Sequence, residues 1–359
     1  MKILELTRSF YPSIGGMEKF VADRLKIYKS LGYEYQVITT THSEKKLATA
    51  QRMDKVKYLS SYTPYEIVPS LKKTLNLNYD ILSVNQVGYS YSAKAIEFAK
   101  AKGKKIILTP HFYFHTKRYK IIKDIHFNFF ISKILKDVDK IICFTNFETD
   151  YWRANFPFVN DKIVIIPHYF DPPRLSKVSF KNEYDKFFLF LGRGEVNKRI
   201  DLLINAFDNI ETDYHLILTI DKDEILPKLK IVIEKNKRIH LLGRIPENEK
   251  QNLLATAEAL ILPTDYEAFG IVSLEASFYK KPLLLSELSV FKCILPNEGV
   301  IYFKNNIEDL MEAIKKFLKM SDKEKIEMGI TNFYNLRNFE FKSVARKYHQ
   351  LITSLFNSK

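Results

Sequence analysis

Cysteine is scarce in this chain of 359 residues, where only Cys143 and Cys293 occur. Two cysteines, one in each half, cannot build a disulfide framework or a thiolate metal site. Long hydrophobic runs are also missing: no stretch of 18 uninterrupted apolar residues occurs, and no transmembrane helix is expected. The first residues lack the apolar segment and the small-residue cleavage site of a signal peptide. These absences together favour a cytoplasmic protein.

Two common phosphate-binding motifs are absent as well. The loop Tyr11–Glu18 has adjacent glycines, but not the G-x-G-x-x-G spacing of the dinucleotide fingerprint. The pattern G-x-x-x-x-G-K-[ST] does not occur, which argues against a P-loop nucleotidase. No internal repeat is evident, so a repeat architecture is not indicated.

Acidic residues are fewer than basic ones, which leaves a formal net charge of +14. Residues 1–172 hold 27 Lys and Arg against 16 Asp and Glu, a net of +11, whereas the remainder has a net of only +3. Such asymmetry suggests an anionic partner, either a membrane surface or nucleic acid, although a well-solvated Lys-rich surface gives the same counts. Residues 117–130 combine cations with large apolar groups, as in an interfacial amphipathic helix or an ordinary core-facing one.

Short β-branched or Leu-rich runs alternate with amphipathic stretches, as in α/β proteins whose parallel sheets are covered on both faces. The strand-like runs lie at 2–6, 35–39, 81–84, 105–109, 140–144, 163–166, 187–191, 215–219, 239–242, 259–263 and 282–285. The amphipathic stretches include 18–31, 91–102 and 341–356. The sequence therefore predicts the α/β fold class, with doubly wound, Rossmann-like domains.

The segment Pro167–Arg174 interrupts this alternation, because its three prolines cannot continue a helix or a central strand. We therefore predict a first domain over residues 1–172 and a second over 173–340, with a final helix at 341–359 that can cross back to the first. Two such domains joined by a hinge would face each other across a cleft at the carboxyl ends of their strands, where ligands bind.

The segment Glu267–Glu275 places two carboxylates eight residues apart around a Phe-Gly pair. It follows the strand-like run 259–263 and precedes a helix-like run at 276–281. A strand, a glycine loop and a helix in this order present backbone N–H groups to an anion. Two acids at such a site fit a ligand with hydroxyls as well as phosphates, such as a nucleotide sugar. Ordinary helix N-terminal charges are the alternative explanation.

Two more loops join a strand to a helix. Gly15 and Gly16 let the backbone approach a phosphate at a helix N-terminus, although a Gly-Gly turn is often purely structural. The loop Gly192–Arg199 carries Arg193 and Lys198, and two cations beside a helix N-terminus are unfavourable unless an anion such as a diphosphate binds there. Two solvated cations are the simpler alternative.

His111 follows the strand-like run 105–109, at the edge where α/β sheets place catalytic groups, although a lone histidine is often structural. The segments Asp137-Val-Asp139 and Asp221-Lys-Asp223 match the D-x-D pattern, which can hold a divalent metal against a diphosphate. The pattern is short, and the first pair looks like a helix-to-strand connection. We assign no metal site from these residues.

Together these loops resemble the retaining glycosyltransferases of the large GT4-type family, which have the GT-B fold. The resemblance covers essentially the whole chain, and the order of the motifs is more specific than any one of them. It rests on Gly15-Gly16, Pro167–Asp171 in place of Pro-Asn-Gly-x-Asp, Gly192-Arg193 with Lys198, Gly243–Ile245 and Glu267–Glu275. The chain departs from the family pattern at Asn85, where many members have a histidine, at Lys280-Lys281 and at Ser286–Phe291.

The resemblance implies how a nucleotide-sugar donor would be bound. Arg193 and Lys198 would bind the diphosphate, and Gly16, next to Gly15, would bring its N–H to the same phosphate. Glu267 would contact the transferred sugar. The other donor-binding positions implied are Glu275 at the ribose, Arg244 and Ile245 at the base, and the backbone of Phe269, Gly270, Ile271 and Val272 around sugar and phosphate.

The resemblance also implies the catalytic groups. His111 would lie near the reacting sugar and the acceptor, with Glu267, while Arg193 and Lys198 would stabilise charge on the leaving group. Such enzymes retain the anomeric configuration, and a same-face route is commonly proposed, in which the leaving phosphate oxygen helps to deprotonate the acceptor. No metal or other cofactor is expected, because cationic side chains and helix N-termini take the place of a metal.

The leading hypothesis is a hexosyltransferase that uses a UDP-sugar, such as UDP-glucose, and a glycan or lipid-linked acceptor in polysaccharide or glycoconjugate synthesis. UDP is favoured by family frequency alone. A GT-B epimerase or phosphorylase is the enzyme alternative, and a basic nucleic-acid-binding protein is the non-enzyme alternative. Nucleic acid is not expected as a partner, whereas peripheral association with the anionic inner face of a membrane is compatible with a lipid-linked acceptor.

Overall fold

A computed structural model describes residues 1–11, 15–41, 55–61, 68–111, 130–172 and 184–357. The chain divides into two compact units. The first comprises Met1–Tyr169 together with Phe341–Lys359, and the second comprises Phe170–Glu340. The boundary thus falls within the proline-containing segment from which a linker was predicted, three residues before the expected position.

The first unit is built on a seven-stranded parallel sheet with the strand order β3-β2-β1-β4-β5-β6-β7. Its strands are β1 (Lys2–Thr7), β2 (Glu34–Thr41), β3 (Val56–Ser60), β4 (Ile81–Asn85), β5 (Lys105–Thr109), β6 (Lys140–Cys143) and β7 (Ile163–Ile165). The helices with described bounds are α1 (Gly16–Ser30), α2 (Leu71–Thr74), α3 (Ser90–Ala101) and α4 (Asn146–Asn155), and residues 130–137 are also helical.

The second unit is built on a six-stranded parallel sheet with the order β10-β9-β8-β11-β12-β13. Its strands are β8 (Phe187–Phe190), β9 (His215–Leu218), β10 (Ile239–Leu241), β11 (Ala259–Leu262), β12 (Leu283–Ser286) and β13 (Val300–Phe303). Its helices are α5 (Ile200–Asp208), α6 (Pro227–Lys235), α7 (Glu247–Thr256), α8 (Ile271–Phe278), α9 (Ser289–Ile294), α10 (Ile307–Lys319) and α11 (Asp322–Asn335).

Burial explains why the central strands were visible in the sequence. All residues of β4, β8 and β11 are buried, as expected for strands covered on both faces. By contrast, β3 lies at the edge of the first sheet and buries only Leu59, so its sequence lacks a continuous apolar run. The strand predictions were incomplete. They did not include β3, nor β13, which lies at the edge of the second sheet although three of its four residues are buried.

The last helix, α12 (Phe341–Asn357), belongs to the first compact unit although it ends the chain. The ring of its Tyr348 packs edge-on against Tyr28 of α1, with 6.2 Å between centroids. The hydroxyl of Tyr33 lies 3.0 Å from Nδ1 of His349. These two contacts hold α12 against the first unit. Of the helices described, including α12, none is long and apolar enough to span a membrane.

In both sheets the strand order reverses at one point. In the first, the chain proceeds outward from β1 to β3 and then restarts on the other side of β1 with β4. In the second, the same reversal separates β8 from β11. In open parallel sheets, ligands bind beyond the carboxyl ends of the two strands that flank this point. The loops after β1, β4, β8 and β11 are therefore the places where functional side chains should converge.

The helix after β11 begins earlier than predicted. It spans Ile271–Phe278 rather than residues 276–281, and it is preceded by Gly270, whose φ of 77° lies in the left-handed region. Lys280, also at positive φ, lies beyond its end. Because a glycine takes up the sharp change of direction, the helix starts at once. Ile271 and Val272 consequently supply the first N–H groups of α8.

We expect Gly270→Ala to destabilise the second unit more than Gly243→Ala. Both glycines have φ near 77°, so both substitutions carry a strain of about 1–2 kcal/mol. A Cβ at Gly270 would lie 2.5 Å from the buried ring of Phe291, whereas at Gly243 the nearest atom is 3.9 Å away. The clash should add about 1–3 kcal/mol. Denaturant unfolding followed by circular dichroism measures the difference, and equal losses would contradict the role of Phe291.

Candidate functional site

Two opposite charges meet at the reversal point of the second sheet. Lys198 lies in the loop after β8 and Glu267 in the loop after β11, and their side chains form an ion pair. The lysine is 18% exposed and the glutamate 19%. The pair is thus partly withdrawn from water, which strengthens its electrostatic interaction relative to a surface pair. Both residues were predicted for the site, but their direct pairing was not.

The two loops that carry this pair are tied together by their backbones. The N–H of Asp265 donates to the carbonyl of Asn197 at 2.8 Å, and the hydroxyl of Thr264 donates to the same carbonyl at 3.1 Å. The guanidinium of Arg199 lies 3.3 Å from Asp265. Arg199 has a φ of 46°, an uncommon conformation for a non-glycine residue, and directly precedes α5. Lys198 is therefore held at a defined place beside the β11 loop.

Arg193 and Arg244 are two exposed cations of the second unit. Arg193 is 66% exposed and lies 3.0 Å from Glu195 of its own loop. Arg244 is 76% exposed and lies 2.6 Å from Asp221. Both side chains can exchange an exposed carboxylate for a more highly charged ligand, since exposed ion pairs are weak. Ile245 is partly buried beside Arg244 in sequence.

Glu275, one turn into α8, is paired with a residue that the sequence did not single out. Its carboxylate accepts from the ammonium of Lys250 at 3.1 Å, and Glu275 is only 12% exposed. Burial alone would lower the pKa of Lys250, but the carboxylates of Glu275 and Glu247 outweigh it and raise that pKa. Lys250 therefore remains charged and fixes the orientation of Glu275. No motif marks Lys250, which is 25 residues away in sequence and reaches Glu275 from α7.

The glycine loop of the first unit has an acid at its end, Glu18, in the first turn of α1. Gly16 begins α1, and a Cβ on Gly15 would lie 2.6 Å from a carboxylate oxygen of Glu18. The hydroxyl of Ser9 donates to the other oxygen of Glu18 at 2.5 Å. Glu18 thus occupies the helix N-terminus, where an anion is favourable. The close approach of Glu18 explains why position 15 is glycine, and any phosphate at Gly16 would meet this charge.

His111 lies at the carboxyl end of β5, where the sequence placed it, and has a φ of 56°. Its ring packs edge-on against Phe20, with 4.8 Å between centroids, and against Phe144 at 5.2 Å. Burial, followed by the positive charge of Arg24 and by His168, lowers the pKa of His111 well below its ordinary value. The ring is therefore neutral at physiological pH. Its Nε2 lies 3.1 Å from Oδ1 of Asn85.

The D-x-D acids have structural partners. Asp139 accepts the backbone N–H of Ile106 at 2.8 Å, and Asp221 accepts the N–H of Arg244 at 3.1 Å. Within the ranges that the structure describes, no three His, Cys, Asp or Glu side chains form a group that could hold a metal ion. The basic apolar stretch 117–130 and residues 12–14 of the first loop lie outside those ranges, except for Phe130.

Comparison with known proteins accounts for nearly the whole chain. Residues 14–174 match the family model of glycosyltransferase family 4, and residues 171–330 match that of glycosyl transferases group 1. An uncharacterized glycosyltransferase of Methanocaldococcus jannaschii is 25% identical, with 93% of this chain and 98% of that protein covered. The phosphatidylinositol N-acetylglucosaminyltransferase GPI3 subunit of Saccharomyces cerevisiae is 20% identical, with 96% and 81% covered.

A solved structure shares the fold. The crystal structure of Anabaena HepE in complex with UDP and glucose superposes with a TM-score of 0.77 at 16% identity, over 99% of this chain and all of that one. At this level of identity the similarity establishes the fold.

Proposed function

We propose that this chain, which belongs to the GT4-type family of group 1 glycosyltransferases and has the GT-B fold, transfers a hexosyl group from a UDP-sugar to a hydroxyl of a glycan or lipid-linked acceptor. The transfer retains the anomeric configuration of the donor. The alternatives considered from the sequence, an epimerase or phosphorylase and a nucleic-acid-binding protein, gain no specific support from the site.

One observation carries this proposal. Lys198 and Glu267 are paired at the reversal point of the second sheet, directly before the N-terminus of α8. A diphosphate needs a cation and backbone N–H groups, and a sugar needs a hydrogen-bond acceptor for its hydroxyls. This point in the fold supplies all three, because Lys198, the N–H groups of Ile271 and Val272, and Glu267 belong to adjoining loops.

The chemistry requires charge stabilisation more than acid–base catalysis on the donor side. When the bond between the sugar and the diphosphate breaks, negative charge builds on the leaving phosphate oxygen. Lys198 stabilises this charge, with Arg193 as the second cation. In the same-face route, that oxygen also takes the acceptor proton as the new glycosidic bond forms. Glu267 holds the sugar hydroxyls, Glu275 holds the ribose, and His111 contacts the acceptor hydroxyl. No step needs a metal.

The named ligands and activities of relatives support the substrate classes. The HepE structure contains UDP and glucose, and the yeast relative is named as a phosphatidylinositol N-acetylglucosaminyltransferase subunit. A lipid acceptor would also account for the excess of basic over acidic residues in positions 1–172, where the net charge is +11. We propose that this excess favours an anionic membrane surface.

A donor panel tests the proposed function. A UDP-sugar at about 100 times its Kd should stabilise the protein by about 2.7 kcal/mol and raise its melting temperature by roughly 5–10 °C. GDP- and ADP-sugars serve as matched ligands that differ only in the base. Mass spectrometry should detect slow release of UDP, and NMR should show the α-anomer for an α-linked donor. Absence of any thermal shift across the whole panel would refute nucleotide-sugar binding.

We expect Lys250→Met to weaken donor binding with little change in kcat. Methionine keeps the length of the side chain but leaves Glu275, which is 12% exposed, without its cation. If Glu275 binds the ribose, its disorientation should raise the donor KM by about tenfold, comparable to the loss of one charged hydrogen bond. Steady-state kinetics with the same acceptor measures both constants. Lys292→Met, which removes an exposed partner of Glu287, is the control. An unchanged KM would argue against the ribose assignment.

A further inference from the structure

A buried ion pair in the first unit has no part in donor binding. Glu5 lies in β1 between Leu4 and Leu6 and is 0% exposed, and Arg24 of α1 is 1% exposed. The two side chains form an ion pair beneath the reversal point of the first sheet. Buried ion pairs of this kind stabilise a fold poorly compared with well-packed apolar residues. Their presence therefore requires another explanation.

Asn85, at the end of β4, connects this ion pair to His111. Its Nδ2 group donates to Glu5 and, at 3.1 Å, to the backbone carbonyl of Leu6. Its Oδ1 accepts from Arg24 at 2.5 Å and lies 3.1 Å from Nε2 of His111. Two acceptors on one side and a guanidinium on the other leave the amide only one sensible orientation. The Glu5–Arg24 pair thus determines which end of Asn85 faces His111.

The orientation of Asn85 determines the tautomer of His111. Because Oδ1 can only accept, Nε2 of His111 must carry the hydrogen. In a neutral imidazole, Nδ1 then carries the lone pair. Burial and the positive charge of Arg24 keep the ring neutral, and His168 beside it is itself a ring whose pKa burial lowers to about 3. Glu5 is paired with Arg24. The positive φ of His111 also shows that its surroundings impose the conformation.

We propose that Asn85, held by the Glu5–Arg24 pair, is a positioning residue that fixes the ring orientation of His111 and its Nε2–H tautomer. This inference rests on the proposed function, in which His111 contacts the acceptor. The departure from the family pattern at Asn85 thereby acquires a role.

The tautomer can be measured without any substrate. In the full-length protein labelled with ¹⁵N at histidine, long-range ¹H–¹⁵N correlation spectra distinguish a protonated from an unprotonated ring nitrogen. The signal of His111 is assigned by its loss in His111→Asn, since asparagine tolerates positive φ. We expect a protonated Nε2 and an unprotonated Nδ1 from pH 8 down to pH 6. A protonated Nδ1 at pH 7.5, in either the neutral or the charged ring, would overturn the proposal.

Variants test whether Asn85 acts through His111. Asn85→Leu keeps the approximate size of the side chain and removes both hydrogen-bonding groups. We expect a mixture of tautomers at His111 and a kcat lowered by about 10–100-fold, with the donor KM within twofold of its wild-type value. Ser92→Ala, which removes another buried polar group of the first unit, is the control and should preserve the tautomer and kcat.

The outcomes separate this inference from the proposed function. If Asn85→Leu retains the wild-type tautomer and kcat, Asn85 has no positioning role. If Asn85→Leu does not fold, the wild-type spectrum alone still decides the tautomer. If the wild-type protein transfers no sugar although His111 has the expected tautomer, the proposed function fails, whereas the positioning of His111 by Asn85 stands.

Discussion

Lys198→Met should lower kcat for sugar transfer by about 10²–10³-fold, the loss usually seen when one group that stabilises transition-state charge is removed. Methionine preserves the aliphatic part of the side chain but cannot neutralise the leaving diphosphate. Lys198 lies in a loop whose Asn197 carbonyl accepts hydrogen bonds from the hydroxyl of Thr264 and the N–H of Asp265, so the loop itself should keep its conformation. Steady-state kinetics with a saturating donor measures the effect, and the melting temperature shows whether the fold is retained.

The second unit, which contains Lys198, also provides a matched control for Lys198→Met. Lys186 lies 3.2 Å from Asp213, and both side chains are more than half exposed. Lys186→Met therefore breaks a lysine–carboxylate pair that is far more exposed than the site pair, and transfer should stay within twofold of the wild-type rate. A similar loss in both variants would show that the effect is general to cation removal. Wild-type transfer by Lys198→Met would remove Lys198 from the catalytic groups.

Glu5→Leu should destabilise the first unit by about 3–5 kcal/mol, because Arg24 would remain buried without its counter-charge. The double variant Glu5→Leu/Arg24→Met should recover much of this loss, since it removes both charges and leaves apolar side chains. The chain has a single tryptophan, Trp152, which is fully buried in the first unit. Its fluorescence during urea unfolding therefore reports the stability of this unit directly.

Another pair on the same helix, between a half-exposed lysine and a buried aspartate that has a second lysine partner, provides the comparison. Lys26 is 52% exposed and lies 3.0 Å from Asp23, which Lys19 also approaches at 3.4 Å. Lys26→Met should cost less than about 1 kcal/mol. If Glu5→Leu loses as little stability as Lys26→Met, Arg24 gains access to water in the variant, and the residues around Arg24 are not held rigidly. Arg24 also donates to the hydroxyl of Thr109 at 2.9 Å and to Oδ1 of Asn85 at 2.5 Å. If the double variant is less stable than Glu5→Leu, these bonds, which Arg24 keeps in Glu5→Leu, outweigh the cost of its unpaired charge.

Much of the fold was predictable because parallel strands that are buried on both faces appear as apolar runs. The strand Ile81–Asn85 is an example, since all five of its residues are buried. The edge strand Val56–Ser60 was missed for the converse reason, because it buries only one residue and its sequence carries no continuous apolar run. This reason does not apply to the missed strand Val300–Phe303, since three of its four residues are buried. The sequence predicts the start of α8 too late, because a glycine usually indicates a loop, whereas Gly270 allows the helix to begin immediately after it.

The site was predictable where chain order alone brings groups together. Lys198 and Glu267 follow strands of the same parallel sheet, so the sequence assigned both to one site, although it did not predict that they pair with each other. Lys250 could not be assigned to the site, because its contact with Glu275 depends on how α7 packs beside α8. A signal for Glu5 was present but unused. An acid between Leu4 and Leu6 in a buried strand requires a cation, and Arg24 lies on the buried face of the following helix.

Because α12 ends the chain but belongs with Met1–Tyr169, the second unit is an insertion within the first in terms of sequence. A chimera that exchanges everything after residue 169 would therefore remove the helix that packs Tyr348 against Tyr28. A graft that transplants only residues 170–340, with two junctions instead of one, keeps both sheets and their covering helices complete. Protein engineers who wish to exchange the second unit without disturbing the first should therefore cut at both places.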